Sequence, residues 1–147
     1  MTKAQTSSNP PVAAQTSPSS TTTSVPTPPL VNSDCPPDVD VLGRSTWTFL
    51  HALTATYPDS APPTLQSKTK QFLSLFSELY PCWVCADDFR DWMAQPGNAP
   101  RVEGQDVFGF WMCRAHNAVN EKLGKPEFDC AKWKERWRDG WKDGHCH

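Results

Sequence analysis

The stretch Tyr80-Pro81-Cys82-Trp83-Val84-Cys85-Ala86-Asp87-Asp88-Phe89-Arg90 organises this chain, because it places two thiols one helical turn apart. Pro81 is typical of a helix entry, where its missing N–H would have had no partner. The unpaired amides that follow direct the positive end of the helix toward the sulfurs. Such a position lowers the pKa of a thiol and favours thiol–disulfide exchange.

Three interpretations of this Cys-x-x-Cys stay open on spacing alone: a redox-active disulfide, half of a zinc site, and a purely structural pair. A zinc site would require a second pair at a suitable gap. Cys113 and Cys130 stand far apart, and no His-x3-5-His follows. The spacing therefore favours redox chemistry, and we expect no metal.

Composition limits the class of protein. The 147 residues suit one domain, and all seven Trp lie between Trp47 and Trp141, which places the core there. A net charge of -2, with cations scattered among acids, gives no reason to expect nucleic acid or an anionic membrane as a partner. Six cysteines point to an oxidising compartment or to metal. We find no secretory signal and no bilayer-spanning run, so we expect a soluble chain without membrane insertion.

The first 33 residues are rich in Ser, Thr and Pro. Such a segment buries too little apolar surface to offset its ordering entropy, so we predict a disordered tail over residues 1–33 and a folded domain over residues 34–147.

The rest of the chain predicts an all-α fold, a four-helix bundle with a short fifth helix. The predicted helices run from about Val39 to Tyr57, from Thr64 to Tyr80, from the cysteine motif to near Gln95-Pro96-Gly97, from about Gln105 to Leu123, and from Cys130 to about Gly140. In the second helix the helical spacing predicts a buried face formed by Phe72, Leu75, Phe76 and Leu79.

Polar groups follow the apolar face of the fourth helix in the pattern His-Asn-x-x-Asn-x-Lys, formed by His116, Asn117, Asn120 and Lys122. In the fifth helix Arg136 adjoins Trp137. This combination suits a flat, phosphorylated cofactor held between helices. Taken singly each residue has a plainer interpretation, since Trp137 would more often be core, His116 a satisfied helix residue and Arg136 a solvated charge.

Several motifs occur in order and together resemble the Erv/ALR family of FAD-linked sulfhydryl oxidases, its mitochondrial branch in particular. They are Leu42-Gly43-Arg44-x-x-Trp47-x-x-x-His51, Tyr80-Pro81-Cys82-x-x-Cys85-Ala86, Cys113-x-x-His116-Asn117-x-x-Asn120, Leu123-Gly124-Lys125-Pro126-x-Phe128-Asp129-Cys130 and Arg136-Trp137-Arg138-Asp139-Gly140-Trp141-Lys142-Asp143-Gly144. The resemblance covers the chain from about Asp34 to its end.

The resemblance implies that FAD is held within the bundle, with Cys85 next to the isoalloxazine and Cys82 facing the substrate. Residues implied around the flavin are Gly43, Arg44, Trp47, His51 and Tyr80. Those implied on the adenine and phosphate side are Cys113, His116, Asn117, Asn120, Lys122, Leu123, Lys125, Arg136 and Trp137. It also implies a structural disulfide between Cys113 and Cys130, and an intersubunit disulfide between Cys35 and Cys146.

The activity that the resemblance implies is disulfide formation in protein substrates. Electrons would pass from substrate thiols through Cys82 and Cys85 to FAD, and then to oxygen, which gives hydrogen peroxide, or to cytochrome c. The implied setting is a homodimer in the mitochondrial intermembrane space, acting on a thiol protein or an import oxidoreductase. Longer members carry a second Cys-x-x-Cys near the N-terminus, whereas no cysteine precedes Cys35 here. We expect either a short form or a partner that reaches Cys82 directly.

Overall fold

Helices are the regular elements of residues 35–146, the part of the chain that a computed structural model describes. Four α-helices span Val39–Ala55 (α1), Pro63–Leu79 (α2), Trp83–Ala94 (α3) and Gln105–Lys122 (α4). A 3-10 turn, Cys130–Lys132, and a π-helical turn, Glu135–Asp139, follow and form the C-terminal helical segment. No strand occurs in this range, and the predicted all-α class is confirmed. The predicted disordered tail lies outside the described residues.

Side-chain capping and proline set the ends of α1 and α2. The carboxylate of Asp38 accepts a hydrogen bond from the Val41 amide at 2.8 Å, which starts α1. The helix ends at Ala55, earlier than predicted, because Pro58 disfavours a helical conformation at Tyr57. Helix α2 begins with Pro63 at its first position, where no N–H is needed.

The loop between α1 and α2 is fixed to the start of α4. The Gln105 side-chain amide donates to the carbonyls of Ala55 and Tyr57, at 2.9 Å each. At Gly104 a Cβ would stand 2.1 Å from the Asp59 carbonyl oxygen, so only glycine allows this approach. The N-terminus of α4 is therefore held beside the end of α1.

Large rings and aliphatic side chains fill the centre of the bundle. Its fully buried members include Leu50, Leu73, Val102, Phe108, Trp111 and Met112. The one polar atom of the Trp111 ring is satisfied, because its N–H donates to the Asn98 carbonyl at 3.0 Å. Burial of these side chains, each contributing roughly 1.5–3 kcal/mol, is the main source of stability. Among the described residues no helix is both long and apolar enough to cross a bilayer.

The predicted buried face of α2 is wrong in part. Leu75 and Leu79 are exposed, at 48% and 78%, whereas Leu73 is completely buried. The inward stripe of α2 passes through Leu73 and two small polar residues, Thr69 and Ser77. Leu75 and Leu79, the apolar side chains of α2 that do not turn inward, therefore form an exposed apolar face on the bundle.

The short fifth helix is not a regular α-helix. Its 3-10 turn lies against α4 and its π-helical turn lies against α1, so two different helices hold its two halves. The buried Trp133 ring packs directly on Gly109 of α4, where an added Cβ would come within 2.6 Å of ring atoms. Gly140 then ends the segment at φ 82°, a conformation that favours glycine.

Candidate active site

The Cys-x-x-Cys lies at the start of α3, as its sequence predicts. Cys82 is the N-cap residue, and its sulfur accepts a hydrogen bond from the Cys85 amide at 3.4 Å. The two sulfurs form a disulfide and both residues are half-buried. On reduction, a thiolate at Cys82 would face the positive end of the helix, which stabilises its charge. The geometry suits a disulfide that opens and closes.

Tyr80 connects this disulfide to α1. Its hydroxyl donates to the Thr46 hydroxyl at 3.2 Å, across 34 positions of sequence. Its ring also packs on Phe76, with centroids 5.1 Å apart. Because Thr46 immediately precedes Trp47, the turn that carries the cysteines is held beside the helix that carries the predicted flavin residues. Sequence reasoning missed Thr46, since nothing in its own surroundings marks it.

Four rings from three elements form one aromatic cluster, which consists of Trp47, His51, His116 and Trp137. Trp47 stacks on His116 with centroids 4.1 Å apart, and His51 stacks on Trp137 at 4.3 Å. The two histidines share a hydrogen bond of 2.9 Å between His51 Nε2 and His116 Nδ1. The ring faces that these two stacks do not occupy are surfaces on which a planar ring system can lie.

Both histidines of the aromatic cluster are held neutral. Burial lowers the pKa of His51 from 6.5 to about 3, and His116 and Arg136 add to the effect. Burial also lowers the pKa of His116 to about 4, with Lys125 and Arg136 contributing. The remaining ring nitrogen of His51, Nδ1, is buried without a hydrogen-bond partner. An unpaired buried nitrogen is costly, so a polar ligand group fits at this point.

Cations converge beside the aromatic cluster. The Arg136 guanidinium lies 4.1 Å from the centre of the Trp137 ring, and the charges of Arg136 and Lys125 both act on His116. Within residues 35–146 neither Arg136 nor Lys125 takes part in an ion pair. By contrast, Lys122 pairs with Asp88 of α3. Two uncompensated cations near stacked rings fit the phosphates of a nucleotide cofactor.

Asn117 has a structural contact that its motif did not reveal. Its side chain donates to the Phe128 carbonyl at 2.8 Å and accepts from the Phe128 amide at 2.9 Å. Asn120 donates to the Asn117 oxygen at 3.4 Å. A disulfide between Cys113 and Cys130 joins the same loop to α4. These contacts hold the segment before Trp137 in place, so they position the aromatic cluster.

The other predicted cofactor residues lie at accessible positions. No heavy atom comes within 4 Å of the place where a Cβ would stand at Gly43, which leaves open space one turn before Trp47. Arg44, Leu123 and Lys125 are exposed. Cys35 and Cys146 are exposed near the two ends of the described range. The residues present therefore fit a flat, phosphorylated cofactor, whose individual contacts stay a prediction.

Comparison with known proteins gives the family. The sequence model of the Erv1 / Alr family matches residues 44–138. The chain belongs to the Erv1 / Alr family. The predicted family is thus confirmed, and the match contains both cysteine pairs that form disulfides in the structure.

Two relatives and one solved structure illustrate the similarity to other Erv1 / Alr members. The chain is 54% identical over 100 residues to the "Mitochondrial FAD-linked sulfhydryl oxidase erv1" of Schizosaccharomyces pombe, a match that covers 68% of this chain and 55% of that protein. It is 54% identical over 103 residues to the "Mitochondrial FAD-linked sulfhydryl oxidase ERV1" of Saccharomyces cerevisiae, covering 69% of this chain and 52% of that one. The crystal structure of the FAD binding domain of Erv1 from Saccharomyces cerevisiae superposes with a TM-score of 0.68 at 50% identity, covering 73% of this chain and 100% of that chain. The chain thus spans about half the length of the curated relatives that it matches.

Proposed function

We propose that this chain is an FAD-dependent thiol oxidase that forms disulfide bonds in protein substrates. The observation that carries the proposal is the Cys82–Cys85 disulfide at the N-terminus of α3, tied through Tyr80 to the helix that carries Trp47 and His51. The relatives named as FAD-linked sulfhydryl oxidases support it.

FAD is the proposed cofactor, and the aromatic cluster is its proposed binding surface. The residues proposed to hold it are Gly43, Arg44, Trp47, His51, Tyr80, Cys113, His116, Asn117, Asn120, Lys122, Leu123, Lys125, Arg136 and Trp137. The stacked rings, the open space at Gly43 and the uncompensated cations support this assignment. When bound, FAD supplies a two-electron acceptor for the reduced cysteine pair and a donor to oxygen, giving hydrogen peroxide, or to cytochrome c.

The chain's own residues carry out the thiol exchange. A substrate thiolate attacks the sulfur of Cys82, and Cys85 leaves as a thiolate in the first turn of α3, where the positive end of the helix stabilises its charge. A second substrate thiolate then attacks the sulfur of the first, and Cys82 leaves. The substrate has lost two electrons and two protons, and Cys82 and Cys85 hold a dithiol.

The proposal includes a homodimer, disulfide-linked between Cys35 of one protomer and Cys146 of its partner. The exposed apolar surface of α2 at Leu75, which is 48% exposed and lies one turn before Leu79, supports self-association, because surfaces of this kind are usually covered in oligomers. Phe49 of α1 is also exposed and its ring meets Phe72 of α2 edge-on, which extends the same face. No metal and no nucleic acid takes part in this proposal.

The proposed location is the mitochondrial intermembrane space, where the substrate would be a thiol protein or an import oxidoreductase. The names of two relatives include the word mitochondrial, which supports the organelle. Disulfides at Cys82–Cys85 and Cys113–Cys130 support an oxidising compartment.

An absorbance spectrum combined with dithiol-dependent oxygen uptake tests the function. The purified protein should show the visible band of oxidised flavin and should consume oxygen when dithiothreitol is added. Cys82→Ser and Cys85→Ser should each keep the band and lose uptake, whereas Cys146→Ser, a change at an exposed cysteine, should keep both. Undiminished uptake in Cys85→Ser would reject the electron path. A colourless protein would reject the cofactor and favour a disulfide-stapled module without catalytic function.

A further inference from the structure

Three exposed apolar side chains lie within three positions of Cys82, whose sulfur is the one proposed to face the substrate. Trp83 and Val84, the two residues inside the Cys-x-x-Cys, are 76% and 43% exposed, and Leu79 is 78% exposed. We call these three residues the apolar rim. Consecutive Cα atoms lie about 3.8 Å apart, so Trp83 adjoins Cys82 directly and Leu79 lies at most about 11 Å from it along the chain.

The exposure of Trp83 is unusual for this chain. Among the seven Trp, all of which the structure describes, it is the one that is exposed rather than buried or half-buried. The other six pack against rings, cations or, for Trp133, the backbone of Gly109. No such ring or cation contact involves Trp83 within residues 35–146. The packing of the fold therefore does not account for a large ring at this position.

Thiol–disulfide exchange determines what must touch this surface. The attacking sulfur approaches until it bonds to the Cys82 sulfur, so the side chains that flank the substrate cysteine come within contact distance of the apolar rim. Among the charged residues close to the rim, Asp87 pairs with Arg90 and Asp88 pairs with Lys122. Glu78, which precedes Leu79, accepts a hydrogen bond from the Ser74 hydroxyl. The surface offered to the substrate is therefore mainly apolar.

We propose that the apolar rim selects protein or peptide dithiols whose cysteines are flanked by aromatic or large aliphatic side chains. This inference rests on the proposed thiol oxidation and names its substrate class. The step itself is unchanged: the substrate sulfur bonds to Cys82 as the Cys82–Cys85 bond breaks, and resolution by the second substrate thiol leaves an oxidised substrate and a reduced pair. Trp83, Val84 and Leu79 bind and orient the flanking side chains during that exchange.

Two peptides with the same Cys-Gly-Ser-Cys centre and equal net charge test the proposal, one flanked by Phe and Leu and the other by Ser and Thr. The protein with bound cofactor should oxidise the apolar peptide with a kcat/KM about tenfold higher, equivalent to about 1.4 kcal/mol. Trp83→Ser should abolish most of that preference, and Leu79→Ser or Val84→Ser part of it. All three variants should oxidise dithiothreitol, which has no flanking side chains, at the unchanged rate.

Phe110→Ser is the matched control. Like Trp83, Phe110 is an exposed aromatic residue, 47% exposed, but it belongs to α4 and lies in a groove that is lined by Trp133 and Lys134. It should leave the preference intact. Equal kcat/KM for the two peptides, or a preference that persists in Trp83→Ser, would overturn the proposal. A parallel loss of dithiothreitol oxidation would also overturn it, because Trp83 would then act on the sulfurs themselves.

Sedimentation and anaerobic reduction distinguish substrate selection by the apolar rim from a role in subunit contact. Sedimentation of Trp83→Ser should show the oligomeric state of the unchanged protein, and a shift to smaller species would assign the apolar rim to a subunit interface instead. Anaerobic reduction of the Cys82–Cys85 bond by each peptide, followed by thiol trapping and mass spectrometry, requires no turnover. This reduction should show the same tenfold preference. Because it does not depend on oxygen uptake, it measures the selectivity of the rim even if the proposed oxidase function is wrong.

Discussion

Acid should destabilise the fold through the two histidines of the aromatic cluster. In the folded chain the pKa of His51 is lowered to about 3 and that of His116 to about 4, against 6.5 for an exposed histidine. The unfolded chain therefore binds protons first as the pH falls below 6.5. This contribution to the free energy of unfolding is complete above that pH and is lost progressively below it, down to the folded-state values.

Between pH 7 and pH 5 the loss in the free energy of unfolding depends on the pKa of histidine in the unfolded chain, because the pKa values of both histidines in the folded chain lie below 5. Linkage gives a loss of about 2 kcal/mol for one such histidine over this interval. His51 is fully buried and should contribute that amount. His116 is only half-buried, so solvent screening reduces its share to about 1 kcal/mol. The ordinary pKa values of Glu103 and Asp139, 4.5 and 3.8, lie below this interval and folding lowers both, so the stability that these carboxyl groups contribute is lost at more acidic pH.

Urea unfolding of the purified protein with intact disulfides, followed by tryptophan fluorescence, measures this loss. The total of about 3 kcal/mol corresponds to a fall in the urea midpoint of about 1.5 M between pH 7 and pH 5. His51→Gln should reduce the fall to about 0.5 M, whereas His145→Gln, a change at an exposed histidine beside Asp143, should leave it unchanged. A midpoint that is the same at both pH values, or a full fall that persists in His51→Gln, would refute the reasoning.

Three further predictions concern the cofactor, the subunits and the packing of α4. Trp137→Ala should weaken retention of flavin about tenfold or more during gel filtration, because a stacking face is lost. Unchanged retention would mean that Trp137 is a core residue that does not contact the cofactor. Cys35→Ser and Cys146→Ser should each remove a covalent dimer from non-reducing gels while oxygen uptake continues; a dimer band in both single variants would contradict the pairing. Gly109→Ala should lower the free energy of unfolding by about 1–3 kcal/mol, although alanine favours helices, because its Cβ would overlap the Trp133 ring. An increase in thermal stability would show that Trp133 can move aside.

Local sequence signals predict much of the architecture. Pro58, Pro63 and the glycine before Lys125 mark where helices begin or end. The predicted start of α4 coincides with the observed one, and its predicted end lies one residue too far. Pro81 and the helix that follows place Cys82 at an N-cap, where its chemistry can be deduced without a structure. Local conformation is controlled by neighbouring residues, so sequence reasoning can recover it. The ordered motifs also sufficed to predict the family.

The packing partners required the tertiary structure. Helical periodicity alone gave Leu75 and Leu79 as buried, whereas the structure buries Leu73, because the face that turns inward depends on what the neighbouring helices present. The C-terminal segment likewise departs from an α-helix since α4 and α1 each hold one of its turns.

Residue patterns along the chain suffice to predict the class of the fold, the family and a Cys-x-x-Cys pair at a helix start. The aromatic cluster, in which His51 and His116 meet across 65 positions of sequence and are held neutral by burial, follows from tertiary packing. The physical reason is that a thiol at a helix terminus responds to amides a few residues away. A stack of rings from three elements exists only after those elements have packed, and no local pattern encodes which rings will meet.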